Sequence, residues 1–108
     1  MDVSQLRQGL IEKKFTSVDL VNFYADRCYV FGRKLSLTTS ENYKSALAIA
    51  KEKDEQLEKA LADGEEVGPM HGIPISVKDF IEMKGKLSTF GMTYFCDDLM
   101  KEDAIVLK

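Results

Sequence analysis

The sequence predicts a mixed α/β layer fold, and three observations carry that expectation. Three stretches before residue 64 place apolar side chains at helical spacing; residues 72–81 switch to an alternation of period two; and residues 102–108, EDAIVLK, return to a helical start. The order is helices, strand, loop, helix, which layered α/β architectures produce. At 108 residues, a single core is the default.

The first segment, 2–14, sets Val3, Leu6, Leu10 and Ile11 on one helical face, with Asp2 and Gln5 spaced as a capping pair. Gly9 inside it costs about 1 kcal/mol against alanine, so this helix depends on tertiary contacts. FTSVDL is then a start signal: Thr16 as N-cap, Asp19 three residues on, and Phe15 and Leu20 spaced for a hydrophobic staple. The second helix carries Leu20, Val21, Tyr24, Cys28 and Phe31 along one face, read as core, with Gly32 as its stop. A third cap, Thr38 with Glu41, leads into a long helix ending near Asp63 and closed by Gly64. Its stripe of Tyr43, Ala46, Leu47, Ala50, Leu57, Ala60 and Leu61 is interrupted at Asp54, and its alanines suit close packing on a sheet.

In residues 72–81, Ile73, Ile75, Val77 and Ile81 alternate with Pro74, Ser76, Lys78 and Phe80, the signature of a strand. Pro74 donates nothing to a ladder and belongs at the strand's beginning or on an edge. Gly85 marks a turn, STFGMTYF reads as a second short extended piece, and EDAIVLK as the start of a helix. One or two strands cannot cover both faces of a sheet, so residues 1–108 are expected to be incomplete as a stand-alone domain.

Composition narrows the function. The chain is 44% hydrophobic and 31% charged with a net charge of -3, an ordinary globular balance without a basic stripe, which argues against nucleic acid as a partner. No apolar run reaches the roughly 18–20 residues a bilayer span needs, and MDVSQLRQGL lacks the apolar core of a secretory signal. Cys28 and Cys96 stand in no ligand spacing and one histidine completes no usual zinc set; both read as reduced packing thiols, favouring a reducing intracellular compartment.

Lys78 is the chemical outlier, a lysine in the most apolar, glycine-flanked part of the chain. Burial disfavours its charged form and yields a neutral amine, a base near neutral pH. The alternative is a strand-end lysine with its ammonium in water and Asp79 as partner. Ser76 would share the face of Lys78 on a strand, where it is best read as a neighbour that places the lysine, and His71 has a turn-like, structural setting.

The run GPMHGIPISVKD resembles the lysine-bearing segment of the amidase signature family, hydrolases with a serine, cis-serine, lysine triad. ALADGEEVGPMHGIP resembles the lead-in to that segment, KGKLSTFG the stretch that follows the lysine, and EDAIVLK the helix before the family's next strand. The similarity runs from about Ala46 onward, and Lys84 to Gly91, K-G-x-x-S-T-x-G, leans toward the fatty-acid amide hydrolase branch.

The resemblance implies an amidase-type α/β/α fold, of which residues 1–64 are a helical region and 65–108 the lysine-bearing strand, loop and next helix. It implies that Lys78 is the catalytic base, acting through the bridging serine on the nucleophilic serine, without metal or cofactor. Both serines of the family lie in downstream segments, and residues 1–108 contain no glycine- and serine-rich stretch for an oxyanion hole. Alone, the chain is therefore expected to be inactive. Its expected partners are the rest of the amidase fold, in the same or a companion chain, or, for a truncated and inactive accessory subunit, the other members of a larger complex.

Overall fold

Capping chemistry fixes where the first two helices begin. In the computed structural model of the chain, which describes residues 1–107, α1 runs Val3–Ile11 and α2 Ser17–Arg27. Asp2 and Gln5 close a reciprocal box at the start of α1, as do Thr16 and Asp19 at the start of α2. The Thr16 N–H and hydroxyl hold the Asp19 carboxyl below the ordinary carboxylate value. These helices belong to the first of two units, Met1–Pro74; the second is Ile75–Lys108.

Residues Cys28–Gly32 continue α2 as a π-helical turn, closed by Arg33 N–H donating to the Cys28 carbonyl at 3.1 Å. The wider turn breaks the 3.6-residue period at Phe31, whereas the buried stripe of α2 has already ended at Val21 within the regular helix. Leu20 and Val21 are buried, but Tyr24 is 36% and Phe31 54% exposed. Arg27 instead lies over the rings of Phe23 and Phe31, 5.8 and 5.7 Å from their centroids. Cys28 is half-buried and Cys96 exposed, so the packing reading does not extend to Cys96.

Helix α3, Tyr43–Asp63, begins without the expected Thr38–Glu41 cap. Its N-cap is Asn42, with no side-chain bond, and Glu41 pairs with Arg33, Nε at 2.9 Å and Nη2 at 2.5 Å. The break in its apolar stripe has a cause: Asp54 accepts from Ser17 N–H at 2.7 Å and Val18 N–H at 3.2 Å. With Thr16 Oγ1 accepting from Asp19 N–H, the first N–H groups of α2 are all satisfied. The alanine stripe of α3 therefore meets a helix, α2, and not the expected sheet.

Leu6, Leu10, Leu20 and Leu57 form the core of this unit, with Phe15, Val67 and Ile73 packed against it. Gly9 is where Phe15 closes in: a Cβ there would sit 2.2 Å from the Phe15 ring. The core thus borrows Val67 and Ile73 from beyond the helices. Residues 1–64 alone are accordingly expected to show no cooperative melt by circular dichroism; a sharp transition in that fragment would contradict this account of the core.

The second unit is built from turns. Leu87 and Leu99 form an isolated antiparallel bridge, flanked by Gly85 N–H to Met100 O at 2.8 Å and Met100 N–H to Lys86 O at 2.9 Å. The expected strand over 72–81 does not form, and no strand exists among the described residues. Alternation specifies a surface that suits a sheet, but a ladder needs a second segment alongside, and none pairs with 72–81. Residues 73–78 carry no regular structure, and turns bracket them, with Ile73 N–H on Met70 O at 3.2 Å and Ile81 N–H on Lys78 O at 2.9 Å. The extended piece expected in 88–95 is likewise a loop ending in a 3-10 turn, Thr93–Phe95, and the final helix is present as one 3-10 turn, Ile105–Leu107. Lys108 lies outside the described residues.

Candidate functional site

Lys78 sits in the second unit at the start of a turn, its carbonyl accepting from Ile81 N–H. It is exposed, as is Ser76, so the expectation of a desolvated lysine is not met within the described residues. The second expectation, Asp79 as its partner, is not met either: the two form no ion pair.

The Asp79 carboxylate has other donors. Thr89 Oγ1–H donates to Asp79 Oδ2 at 2.6 Å and Thr89 N–H to Asp79 Oδ1 at 3.1 Å. Ser88 Oγ–H donates to the Asp79 carbonyl at 2.8 Å. The Thr89 hydroxyl and N–H hold the Asp79 carboxyl below its ordinary value, with a smaller contribution from the charge of Lys78. Ser88 is 4% exposed, and its burial is explained by this bond.

The loop that brings Thr89 to Asp79 is held at its far side. Thr89 Oγ1 accepts from Gly91 N–H at 3.1 Å, while Phe90, at φ 53°, adopts the left-handed conformation that non-glycine residues rarely take. The Phe90 ring stacks on Phe80, with centroids 6.5 Å apart, and tilts against Phe95 at 6.2 Å. Residues 79–80 are thereby zipped to 89–90 by both hydrogen bonds and rings. Sequence reading named Asp79 as a neighbour of the lysine and took Ser88 and Thr89 within the run Lys84 to Gly91. The signal available was a carboxylate ten residues before a Ser-Thr pair, which is not a helical or strand period.

His71 belongs to the first unit and is structural: its Nε2–H reaches the Lys53 carbonyl at 2.8 Å, tying the Gly68–Pro74 turn region to α3. Among the described residues no group of three or more His, Cys, Asp and Glu is arranged to hold a metal, and no helix is long and apolar enough to cross a membrane.

A lysine on a glycine- and proline-entered segment, followed by an aspartate locked to a Ser-Thr pair, lies inside the region that matches the Amidase family, residues 19–108. The chain belongs to the amidase signature family. It is 35% identical over 88 residues to a protein of Schizosaccharomyces pombe named as a candidate amidase, covering 82% of this chain and 16% of that protein. It is 31% identical over 108 residues to a glutamyl-tRNA(Gln) amidotransferase subunit of Alkaliphilus metalliredigens, covering all of this chain and 21% of that one. An amidase of Gibberella moniliformis is 35% identical over 78 residues, 72% of this chain and 14% of its own length. The chain thus spans about a fifth or less of the length of these curated relatives. What is established is a portion of an amidase domain, helical in its first unit and irregular in its second.

Proposed function

We propose that this chain supplies the lysine of an amide hydrolase, with Lys78 as general base and the serines, oxyanion hole and substrate pocket contributed by the rest of the amidase fold, in the same or a companion polypeptide. The observation that carries this reading is the run Gly68 to Phe80, GPMHGIPISVKDF, which resembles the family's lysine segment and lies within the matched residues. An amine acts as a base near neutral pH only when desolvation weakens its hold on a proton. Covering Lys78 is therefore a task for the residues that complete the site.

The nucleophilic serine passes its proton to the bridging serine, whose own proton moves to the Lys78 amine, while a C–O bond forms at the amide carbonyl. As the tetrahedral intermediate collapses, the C–N bond breaks and the proton returns through the bridging serine to the departing amine. Water repeats the relay and releases the acid. No step requires a metal or cofactor. Lys84 to Gly91, KGKLSTFG, favours a fatty-acid amide as substrate, by its resemblance to the fatty-acid amide hydrolase branch. The relative named as an amidotransferase subunit supports a partner chain as a setting for this fold.

A second reading, a catalytically silent accessory protein, is favoured by one observation, the exposure of Lys78. Intact mass of the native polypeptide with whatever copurifies, followed by labelling with a fluorophosphonate probe, separates the two. The hydrolase reading expects the label on a serine of a longer chain or of a tightly bound companion; a 108-residue chain in an unlabelled complex would favour the accessory role.

A further inference from the structure

We propose that Asp79, Ser88 and Thr89 form a positioning clamp for Lys78, which fixes the backbone beside the lysine and directs the adjacent carboxylate away from its amine. The proposal rests on the reading of Lys78 as base. Asp79 is the next residue in the chain, so it is the carboxylate closest to hand for an ion pair, and an ion-paired ammonium resists giving up its proton. Thr89 occupies both Asp79 oxygens, at 2.6 and 3.1 Å, and Ser88 anchors the Asp79 carbonyl at 2.8 Å. Three bonds from two consecutive residues converge on one residue, and the donor on its main chain is buried.

Two further restraints stiffen the arrangement. Ile81 N–H closes a turn on the Lys78 carbonyl at 2.9 Å, and the Phe80 and Phe90 rings stack with 28° between their planes. The lysine is thus followed by a segment whose main chain, side chain and ring are each held by residues 88–90. A base that must reach one serine proton benefits from a fixed origin for its long, flexible side chain. Thr89 touches none of the reacting atoms in this scheme; it acts through Asp79 on Lys78.

The test uses the complete amide-hydrolysing polypeptide or assembly, with decanoyl p-nitroanilide as substrate and a thermal melt as the check on folding. Thr89→Val is expected to lower kcat about tenfold or more with KM within about twofold, and Thr89→Ser to restore most of the loss. Unchanged kcat in Thr89→Val, or a rise in KM alone, would overturn the clamp. If Thr89→Val does not fold, Ser88→Ala decides: it removes the buried bond to the Asp79 carbonyl while leaving the carboxylate in place, and near-normal kcat there overturns the proposal. Lys78→Ala run in parallel separates the two layers. If it keeps its activity, the base assignment falls; if it is inactive while both clamp variants turn over normally, only the clamp falls.

Discussion

Lys78→Ala in the complete enzyme is expected to lower amide turnover by about 10²- to 10⁴-fold, the usual contribution of a positioned general base. The same variant is expected to unfold within about 0.5 kcal/mol of the parent, because Lys78 is exposed and its side chain packs no core. Loss of rate without loss of stability distinguishes a base from a structural lysine. Lys78→Arg sharpens the distinction: a guanidinium keeps the positive charge but does not release its proton in proteins, so it is expected to be as inactive as alanine. Were arginine to restore turnover, a fixed charge would account for the role and the proton relay would not. Near-normal turnover in Lys78→Ala would instead remove Lys78 from the chemistry.

Gly72→Ala is expected to destabilise the protein by about 2–4 kcal/mol, measured as a shift of the urea midpoint at constant slope. Gly72 has φ 74°, and a Cβ at this position would sit 2.3 Å from Ser17 Oγ and 3.4 Å from Leu10 Cδ1. The left-handed backbone accounts for about 1–2 kcal/mol of the loss and overpacking against α2 and α1 for the rest. Ser17→Ala tells the two apart. The Ser17 hydroxyl is buried without a hydrogen-bond partner, so its removal alone is expected to be neutral or stabilising. Combined with Gly72→Ala it is expected to recover the steric part and leave the backbone part. A midpoint unmoved by Gly72→Ala would contradict the packing at this contact.

What the sequence disclosed follows the range of each interaction. The boxes Asp2–Gln5 and Thr16–Asp19 span three residues, so the starts of α1 and α2 could be placed without knowledge of the fold. Thr38–Glu41 has the same spacing, but α3 starts only at Tyr43 with Asn42 as its N-cap, and Glu41 takes two charge-assisted bonds from Arg33. The π-helical turn at Cys28–Gly32 moved Phe31 off the buried face, a local change of period that an apolar stripe does not announce. Residues 72–81 alternate as a strand does, yet alternation describes one partner in an arrangement that needs two. In the site, Lys78 stood out through its neighbourhood and its resemblance to the family, whereas Thr89 meets Asp79 across a loop with no periodicity to reveal it.

The bond from Asp54 to the start of α2 also bears on the order in which the chain assembles. The carboxylate lies 37 and 36 residues downstream of the Ser17 and Val18 N–H groups it receives. During synthesis α2 leaves the ribosome with those donors facing water, and they stay so until α3 has emerged and turned back. In helix α1 the capping box closes within four residues, so only its apolar face waits for later segments. Closure of that 36-residue loop is thus a step that α2 and α3 share, and it is the same step that brings Leu57 to the leucines of the first helix.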